Sequence, residues 1–595
     1  MEGDVSDIDL ALEESDDESD AIQSRSLHRD NSRAAMPVPK TSAVGSELVT
    51  DSVGSGSQCN SSEDEDDMPL ARRLRQQQQI EPAVGRNRMV TPKWKYRDIQ
   101  DVDVMCSSTF TTPQEIGTPL YYFKQFVDDE MINNLKHQTN LYSVEKTGSS
   151  LNVTANEIEQ FIGIHIMTGI VKVPSYRKYW ADATRIATIA DVMPRNRFDK
   201  LRSFIHVNDN TNMLQRNEPG YDKLFKVRPF INSLRKNLSV VEQEEYSAVD
   251  EMVIPFKGHN SLKQYIKNKP HKWGIKVFAR AGASGFCYDF EIYVGKGTVA
   301  SETGIGISGD VVLRLTERLP VGENYKVFMD NWFTSYQLIV ELKKKGLLSV
   351  GTVRQNRIPG CVLKKDDELK KKGRGSYDFR TEQGQNIIAV KWFDNRAVHL
   401  ISSYAGINPV GSTRRWSLKD KQFITVDQPS IVKEYNKFMG GVDLHDMLVA
   451  LYRINIRAKR FYLRIIFHLI DMCVVNAWLL YRRHLTLTGE TKYMSLIDFR
   501  SDVARALLTA GKVISRKRGR PSAESVPNER AKRTHTVKPV DDARFDCVGH
   551  WPEHSANKHR CALCKVAKSR VRCMKCNVAL CLTQNKNHFE CYHKE

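Results

Sequence analysis

The chain has 595 residues, and 27% of them are charged. Because one hydrophobic core stops growing at roughly 250–300 residues, this length excludes a single small domain and predicts several. The formal net charge is +18, but residues 1–70 contain 18 acidic and 4 basic side chains, which leaves +32 on residues 71–595. A body this basic favours a polyanionic partner such as DNA.

The sequence contains no strong signal for secretion or membrane insertion. Its first residues lack the basic start and apolar run of a signal peptide. The longest apolar stretch, Phe461–Tyr481, is interrupted by Arg464, His468 and Asp471, which indicates a buried helix rather than a membrane span. We therefore expect a soluble intracellular protein with no membrane partner.

The N-terminal third changes from tail to helix. Residues 1–95 are rich in Ser, Asp, Glu and Gly without apolar periodicity, and they predict a disordered acidic tail. Residues 96–245 have a helical pattern, in which Thr154 and Glu157 have the spacing of a capping box. The apolar residues that follow the box share one helix face, namely Ile158, Phe161, Ile162 and Ile166. An α-helical domain is expected here.

The middle of the chain has the pattern of strands. From residue 246 to 354, β-branched and aromatic runs are separated by glycine-rich turns and alternate with helical segments, which predicts a mixed α/β core. Residues 355–431 differ, with a charged loop and a predicted hairpin that turns at Asp394 and Asn395. We expect this piece to be a β-rich insertion.

Several aspartates have positions suited to metal-dependent chemistry. Asp250 lies within a predicted strand, and Asp330 ends an apolar run, where α/β folds place functional side chains. Asp443 and Asp446 are three residues apart in a predicted helix and so share a face. Carboxylates on two strands and a helix can converge on two Mg²⁺ ions about 4 Å apart. On spacing alone, the more common role for each of these residues is a solvated or capping aspartate.

Four motifs carry a family resemblance. They are DNWFTS, GTVRQN, the NKP of YIKNKPHKWGIK, and YNKFMGGVDLHD. Together they resemble the signature motifs of piggyBac-family transposases, in the family's order, and the similarity runs from about Tyr96 to the C-terminus. Several motifs in the same order are a much more specific signal than the spacing of the aspartates.

The resemblance implies a multidomain α/β architecture. An RNase H-like catalytic core formed by residues 246–354 and 432–453 is split by the β-rich insertion at 355–431. It is flanked by an α-helical dimerisation and DNA-binding domain made of residues 96–245 and 454–512. A cross-brace zinc domain at the C-terminus completes the expected architecture.

The resemblance also implies an activity. A protein of this family nicks transposon ends with Mg²⁺, forms DNA hairpins, and integrates at TTAA with seamless excision. Asp250, Asp330 and Asp443 match the three family carboxylates, and Asp446 matches a neighbouring acidic position. The implied partners are double-stranded DNA, comprising transposon ends and a TTAA target, and a second copy of the chain.

Basic residues near these motifs are candidates for DNA contacts. Arg354 and Arg357 fall in and just after the GTVR motif, where a guanidinium suits a phosphate; a surface salt bridge is the alternative. Asn268, Lys269 and Lys272 lie in a basic loop that could touch DNA or simply be solvated.

The C-terminal region, residues 545–595, has the pattern of a zinc domain. Seven of the twelve cysteines lie between Cys547 and Cys591, and two CxxC pairs are followed by more Cys and His, which predicts two Zn²⁺ ions. The favoured ligands are His550, Cys561, Cys564, Cys573, Cys576, Cys581, His588 and His593. Cys591 could displace a histidine, and Cys547 or His559 could replace His550. The pattern resembles the cross-brace domain that recognises transposon ends in this family.

A basic linker, residues 513–544, precedes the zinc domain. Its RKRGRP segment resembles an AT-hook core, which fits the narrow minor groove of A·T-rich DNA, and it also suits a nuclear localisation signal. The basic residues concerned are Arg516, Lys517, Arg518 and Arg520. We expect a nuclear protein, with a solvated linker as the alternative.

Three classes of function remain open from the sequence. The first is an active piggyBac-type transposase, which the intact carboxylates favour. The second is a domesticated relative that binds DNA without mobilising it. The third is a chromatin-reading or ubiquitin-ligase adaptor that uses the zinc module.

Overall fold

The computed structural model describes residues 92–267, 269, 271–295, 297–299, 303–511, 544–545 and 548–594. The chain divides into two compact units, Met1–Lys512 and Val513–Glu595. Most of the predicted acidic tail and of the basic linker lies outside the described residues. The same is true of the predicted site residues Asn268, Arg516, Lys517, Arg518 and Arg520 and of the alternative ligand Cys547.

The predicted tail ends earlier than expected. Trp94–Lys95 form a short strand, β1, which pairs with a strand near residue 382. The indole Nε1 of Trp94 donates to the carbonyl of Pro359 at 2.9 Å. An aromatic anchor of this kind orders residues that composition alone assigns to the tail, so residues 94–95 of the predicted 1–95 tail belong to the fold.

The first helical segment contains the predicted helices. The capping box at Thr154 and Glu157 is confirmed, since the Thr154 side chain accepts from the Glu157 N–H and the Glu157 carboxylate accepts from the Thr154 N–H. The helices are α1 (Pro119–Lys124), α2 (Asp129–Thr147), α3 (Ala155–Ile170), α4 (Ala187–Ala190), α5 (Arg195–Phe204) and α6 (Arg228–Ser239).

A second helical segment packs onto the first. Helix α12 (Phe461–Leu487) contacts α1, and α13 (Leu496–Leu508) contacts α1 and α3. A buried ion pair joins α12 to α13, with Arg500 Nη2 2.5 Å from Asp471 Oδ1. Helix α12 is long and apolar enough to cross a membrane, but 94% of its apolar window is buried inside the protein. The prediction of a buried helix at 461–481 is confirmed.

A large mixed sheet forms the centre of the first unit. Its order is β1-β8-β9-β10-β7-β6-β2-β4-β3, and β5 also pairs with β4. Strand β2 is parallel to β6, and β6 is parallel to β7, while the other pairs are antiparallel. The central strands are β2 (Tyr246–Pro255), β3 (Lys263–Tyr265), β4 (Trp273–Gly282), β5 (Cys287–Ile292), β6 (Lys326–Met329) and β7 (Leu348–Thr352).

The predicted insertion extends this sheet. Strand β10 pairs with β7, so the sheet is continuous across the predicted boundary at residues 354 and 355. The predicted hairpin is confirmed, because Phe393 pairs with Ala397 around a turn that contains Asp394 and Asn395. The strands are β8 (Tyr377–Glu382), β9 (Ile388–Phe393) and β10 (Ala397–Ser402), with β11 (Gly411–Ser417) and β12 (Gln422–Gln428) as a separate two-stranded ribbon.

Helices cover both faces of the sheet. Val249 on β2 belongs to a buried cluster with α7 (Ile307–Leu315) and α8 (Tyr336–Lys344). Its neighbour Ala248 belongs to the cluster on the other face, with α10 (Ser430–Phe438), α11 (Gly441–Leu451) and α12. Helix α9 (Asp366–Lys372) lies in the insertion. Alternate side chains of β2 therefore point to opposite helical layers.

The second unit is small. Its described residues form two antiparallel pairs, β13 (Pro552–Arg560) with β14 (Lys568–Cys573) and β15 (Leu582–Thr583) with β16 (Lys586–Asn587), followed by α14 (His588–Lys594). Its buried cluster is made of four cysteines and a few apolar side chains, namely Cys561, Cys573, Cys576, Cys581, Val578, Leu580, Phe589 and Tyr592.

Candidate functional site

Two predicted carboxylates lie on neighbouring parallel strands. Val249 on β2 is the register partner of Met329 on β6, so Asp250 and Asp330 directly follow paired positions. Neighbouring strands are about 4.8 Å apart, and side chains alternate along each of them. Asp250 is two residues from Ala248 and so points to the same face of the sheet, toward the helical layer that contains α11. The strand pairing therefore brings together two residues that are 80 positions apart in the chain.

The loop after β6 holds Asp330 in place. Asp330 Oδ1 accepts the N–H of Trp332 at 2.8 Å, and the Thr334 hydroxyl donates to the Asp330 carbonyl at 2.7 Å. Arg357 Nη1 donates to the Trp332 carbonyl at 2.6 Å. A Cβ on Gly351 would lie 2.3 Å from Thr334 Oγ1. The DNWFTS and GTVRQN motifs thus pack together, which explains why a glycine precedes the threonine of GTVR.

Helix α11 brings Asp443 to the same edge. A Cβ on Gly441 would lie 2.4 Å from the carbonyl oxygen of Gly282, so glycine permits the close approach of α11 to β4. His445 Nδ1 makes a 2.9 Å hydrogen bond with the Gly285 carbonyl, which anchors the helix to the β4–β5 turn. Asp443 lies in the first turn, and its side chain is 69% exposed.

The carboxylates interact electrostatically. Burial raises the pKa of Asp250 to about 7, and repulsion from Asp443 and Asp330 adds to this effect while Lys269 opposes it. Burial also raises the pKa of Asp330, although backbone N–H donors lower it. Acidic groups that oppose each other's ionisation are characteristic of functional sites and suit a bound cation.

Lys269 lies among these carboxylates. Its Nζ donates to Asp443 Oδ1 at 3.2 Å, and its side chain is 21% exposed. Burial lowers the pKa of Lys269, but the charges of Asp443 and Asp250 more than offset burial and raise it overall. The sequence predicted a DNA contact for this residue; in the structure its ammonium group pairs with a carboxylate.

Asp446 borders the same site. Arg453 Nη2 lies 3.6 Å from its Oδ1. Burial raises the pKa of Asp446, Arg453 and Lys269 lower it, and Asp443 raises it. The predicted fourth carboxylate therefore shares the electrostatic environment of the other three, and its partner Arg453 was not anticipated from the sequence.

Three other predicted DNA contacts, Lys272, Arg354 and Arg357, lie in the described part of the first unit. Lys272 is exposed. Arg354 is also exposed, and its Nε donates to Asn331 Oδ1 at 3.3 Å. Arg357 is partly buried and donates to carbonyls of the loop after β6. Arg357 thus contacts the loop that positions Asp330. Contact of any of these side chains with DNA stays a prediction.

In the second unit, the eight favoured zinc ligands form two groups of four. Within each group the ligand atoms lie within 4.8 Å of one another. The first group is His550, Cys573, Cys576 and His593, and the second is Cys561, Cys564, Cys581 and His588. The groups alternate along the sequence. The alternative ligands Cys591 and His559 belong to neither group, and Cys591 is exposed.

Contacts within the groups suit metal ligation. His550 Nδ1 is 3.4 Å from the sulfurs of both Cys573 and Cys576. His593 Nδ1 bonds to the Phe589 carbonyl at 2.7 Å, an arrangement that leaves Nε2 for a metal. Backbone N–H groups lower the pKa of Cys564 to about 6, which favours the thiolate that zinc requires.

Sequence reasoning missed two features of the carboxylate site. The position of Lys269 follows from the β3–β4 hairpin, in which Tyr265 pairs with Trp273; a hairpin signal around the NKP motif could have indicated it. Arg453 lies two residues after α11 and contacts Asp446. Because Arg453 lies beyond the last residue of the helix, the side-chain neighbours expected along a helix do not predict this pair.

Comparisons with known proteins indicate the family and the fold. A family model described as Transposase IS4 matches residues 118–478. The human PiggyBac transposable element-derived protein 3 is 32% identical over 530 residues, which cover 87% of this chain and 84% of that protein. The human PiggyBac transposable element-derived protein 2 is 31% identical over 501 residues, covering 82% and 80%. A cryo-EM structure of the piggyBac transposase synaptic complex with hairpin DNA shares the fold, with a TM-score of 0.56, 23% identity, and coverage of 80% of this chain and 98% of its own.

Proposed function

Because the chain belongs to the piggyBac family of transposases and transposable element-derived proteins, we propose that it is a cut-and-paste DNA transposase. It would excise and integrate a piggyBac-type element at TTAA sites through hairpin intermediates. The observation that carries this proposal is the convergence of Asp250, Asp330 and Asp443 from two parallel strands and one helix.

The strand order supports an RNase H-like core. Strands β5, β4 and β2 are antiparallel neighbours, and β6 and β7 follow in parallel to β2. Asp330 directly follows β6, and Asp250 follows the last residue of β2 that pairs with β6. Both therefore lie where the parallel pairing ends, a place where such sheets locate their chemistry. The helical segments on either side of this core are proposed to form the dimerisation and DNA-binding domain.

The donor set fits Mg²⁺. Hard carboxylate oxygens suit this ion. Burial, followed by repulsion from Asp443 and Asp330, raises the pKa of Asp250, so a bound cation would favour its ionised form. Asp250, Asp330 and Asp443 would hold two ions, with Asp446 as a fourth ligand. Bound Mg²⁺ supplies charge neutralisation at the phosphodiester and an activated nucleophile.

The protein's own residues prepare this site. Arg357 and the backbone N–H groups hold the loop of Asp330, so its carboxylate is oriented before DNA binds. Gly441 allows α11 to place Asp443 opposite the two strands. Lys269 keeps the negative charges partly compensated in the metal-free protein.

The second unit is proposed to recognise DNA. Its two ligand groups alternate along the chain, as in a cross-brace domain with two Zn²⁺ ions. With the basic linker at 513–544, this unit would bind transposon ends in the nucleus, and a homodimer would hold two ends together.

The direct test is a cleavage assay. Purified full-length protein is incubated with Mg²⁺ and a donor DNA that carries TTAA flanks and cognate inverted repeats, beside the variant Asp330→Ala. We expect nicked and hairpin products from the unaltered protein and none from the variant. Binding without cleavage by the unaltered protein would reject the transposase proposal.

A DNA-binding protein without transposition activity is the second candidate. The observation that favours it is that two relatives more than 30% identical are named transposable element-derived proteins. In the same assay, this candidate predicts retention of the DNA on the protein without Mg²⁺-dependent products.

Lys269 provides a test of metal binding that does not depend on cleavage. Because its ammonium competes with Mg²⁺ for Asp443, Lys269→Met is expected to bind Mg²⁺ about fivefold more tightly, equivalent to about 1 kcal/mol for a partly exposed ion pair. Calorimetric titration of the DNA-free protein measures this affinity. Lys272→Met, in the same hairpin but exposed, is the matched control and should leave it unchanged; weaker binding by Lys269→Met would contradict the prediction.

A further inference from the structure

A basic groove lies beside the carboxylate site. Its volume is about 1300 Å³, and its walls come from the end of β2, the β3–β4 hairpin and the segment between α11 and α12. The cationic side chains that line it are Lys257, Lys263, Lys272, Arg457, Lys459 and Arg464. None of the described residues that line the groove is acidic. The charge of the groove therefore matches a phosphate backbone.

Two aromatic rings stand exposed at this groove. Trp273 lines it and is 51% exposed, and Tyr265 is 53% exposed. Their ring centroids are 4.9 Å apart, and the Lys263 ammonium lies 4.9 Å from the Trp273 centroid. An exposed aromatic pair with a cation beside it suits a ligand that has both an aromatic face and negative charge.

The aromatic pair is tied to the carboxylates by the hairpin that carries it. Tyr265 and Trp273 are register partners on β3 and β4. Lys269, which bonds to Asp443, lies in the turn that joins these strands. Lys269 is four positions along the sequence from each of these two residues, a span of at most about 14 Å of extended chain. A ligand stacked on the rings would thus lie close to a phosphate at the carboxylate site.

A partly buried arginine joins the two walls of the groove. Arg464 Nε donates to the Pro255 carbonyl at 3.0 Å, and its Nη1 donates to the Ile456 carbonyl at 2.8 Å. These bonds join the end of β2 to the segment that follows α11. The two walls are therefore positioned before any ligand binds, which lowers the cost of ordering them on binding.

We propose that this groove binds unpaired nucleotides of the DNA substrate, with a base stacked on Trp273 and Tyr265 and phosphates on the surrounding lysines and arginines. This inference rests on the proposed function and adds a ligand chemistry to it. In a duplex the faces of the bases are hidden in the stack, whereas an unpaired base offers its face to an aromatic ring. Exposed rings beside a basic groove therefore select single-stranded over blunt double-stranded DNA.

The test measures binding rather than cleavage. The probe is a short duplex with a single-stranded tail of about four nucleotides, near the lower limit of known single-strand sites, with 2-aminopurine in the tail. The same duplex without a tail is the reference. Full-length protein is used without added Mg²⁺ and without a chelator, so that cleavage does not occur and zinc is retained.

We expect the tailed duplex to bind about tenfold more tightly than the blunt one, with quenching of 2-aminopurine. Trp273→Ala should abolish both the preference and the quenching, and Trp273→Phe should retain most of both. Lys272→Gln should reduce the slope of log affinity against log salt concentration by about 0.7 for the tailed probe.

Trp416→Ala is the matched control. Trp416 is 44% exposed on β11 and packs against Phe423, which lies under the Arg414 guanidinium, a similar aromatic and cationic pair elsewhere on the protein. This variant should keep the preference for the tail. Tyr265→Ala gives a second substitution in the proposed platform and should reduce the preference.

Equal affinity of the unaltered protein for the two probes would overturn the inference and assign the groove to duplex phosphates. A tail preference that survives in both Trp273→Ala and Tyr265→Ala would overturn it as well. If the protein cleaves DNA in the separate cleavage assay but shows either of these two results, the inference about the groove fails and the transposase proposal stands. If the protein binds the tail through Trp273 but does not cleave, the transposase proposal fails and the inference about the groove stands.

Discussion

Replacement of Asp250 by asparagine is expected to abolish Mg²⁺-dependent cleavage and to stabilise the metal-free protein. Asparagine keeps the shape of the side chain but removes the charge on which a metal depends. Because metal ions contribute several kcal/mol of transition-state stabilisation, the rate should fall by at least about a thousandfold. The measurement is the initial rate of nicking of a cognate TTAA-flanked donor.

The gain in stability follows from the pKa of Asp250. Burial and neighbouring carboxylates raise this pKa from 3.8 to about 7, so the folded protein binds a proton more tightly than the unfolded chain. Ionised Asp250 therefore weakens the fold progressively as the pH rises from about 4 to about 7. The advantage of Asp250→Asn should be larger at pH 8 than at pH 5 and should shrink when Mg²⁺ is added to the unaltered protein.

Thermal unfolding at the two pH values, in buffer without Mg²⁺, measures this difference. Asp427→Asn is the control, since Asp427 is an exposed aspartate on β12. In this variant, neither the cleavage rate nor the pH dependence of the melting temperature should change. A variant that loses cleavage and also melts earlier at pH 8 would indicate that Asp250 supports the fold rather than the chemistry.

The sequence predicted the local parts of the fold well. The capping box at Thr154 and Glu157, the 393–397 turn and the apolar helix α12 depend on neighbouring residues, and the structure contains all of them. The eight residues favoured as zinc ligands also come together, because CxxC pairs fix ligand geometry over short distances; their division into two groups of four was left open by the sequence. In these cases the sequence itself brings the interacting residues together.

Long-range pairing was less accessible. Trp94 pairs with Glu382, and the predicted insertion joins the central sheet through Leu400 and Thr352. Such contacts depend on which strand edges are left open by the rest of the fold, which propensity does not encode. The contact of Arg357 with the loop of Asp330 was also not predicted. From the sequence, a basic residue after a strand is a candidate for phosphate binding, and nothing in the sequence indicates that it contacts this loop.

Removal of zinc is expected to unfold the second unit and leave the first intact. The buried cluster of the second unit consists of four cysteines and the apolar residues Val578, Leu580, Phe589 and Tyr592. A domain of this size rarely gains enough stability from such a core alone. Structural zinc contributes roughly 10–16 kcal/mol of binding free energy at pH 7, which here would be folding free energy. The purified protein should therefore contain two zinc ions per chain.

Hydrogen exchange before and after chelation distinguishes the units. Amides of β13, β14 and α14 should lose protection, whereas those of the central sheet should keep it, because the first unit has its own extensive core. Retained protection in the second unit after complete removal of zinc would show that its fold does not depend on the metal.

The alternation of the ligand groups makes a sharper prediction. In the sequence, the second group lies between His550 and His593 of the first group. Loss of either zinc ion therefore releases chain segments that position the ligands of the other ion. Cys573→Ser and Cys561→Ser, one from each group, should each lower zinc content below two and unfold the whole second unit. Cys591→Ser is the matched control, since Cys591 is exposed and lies in neither group; it should retain two ions. Two independent sites, each lost without effect on the other, would instead indicate that the unit folds around each metal separately.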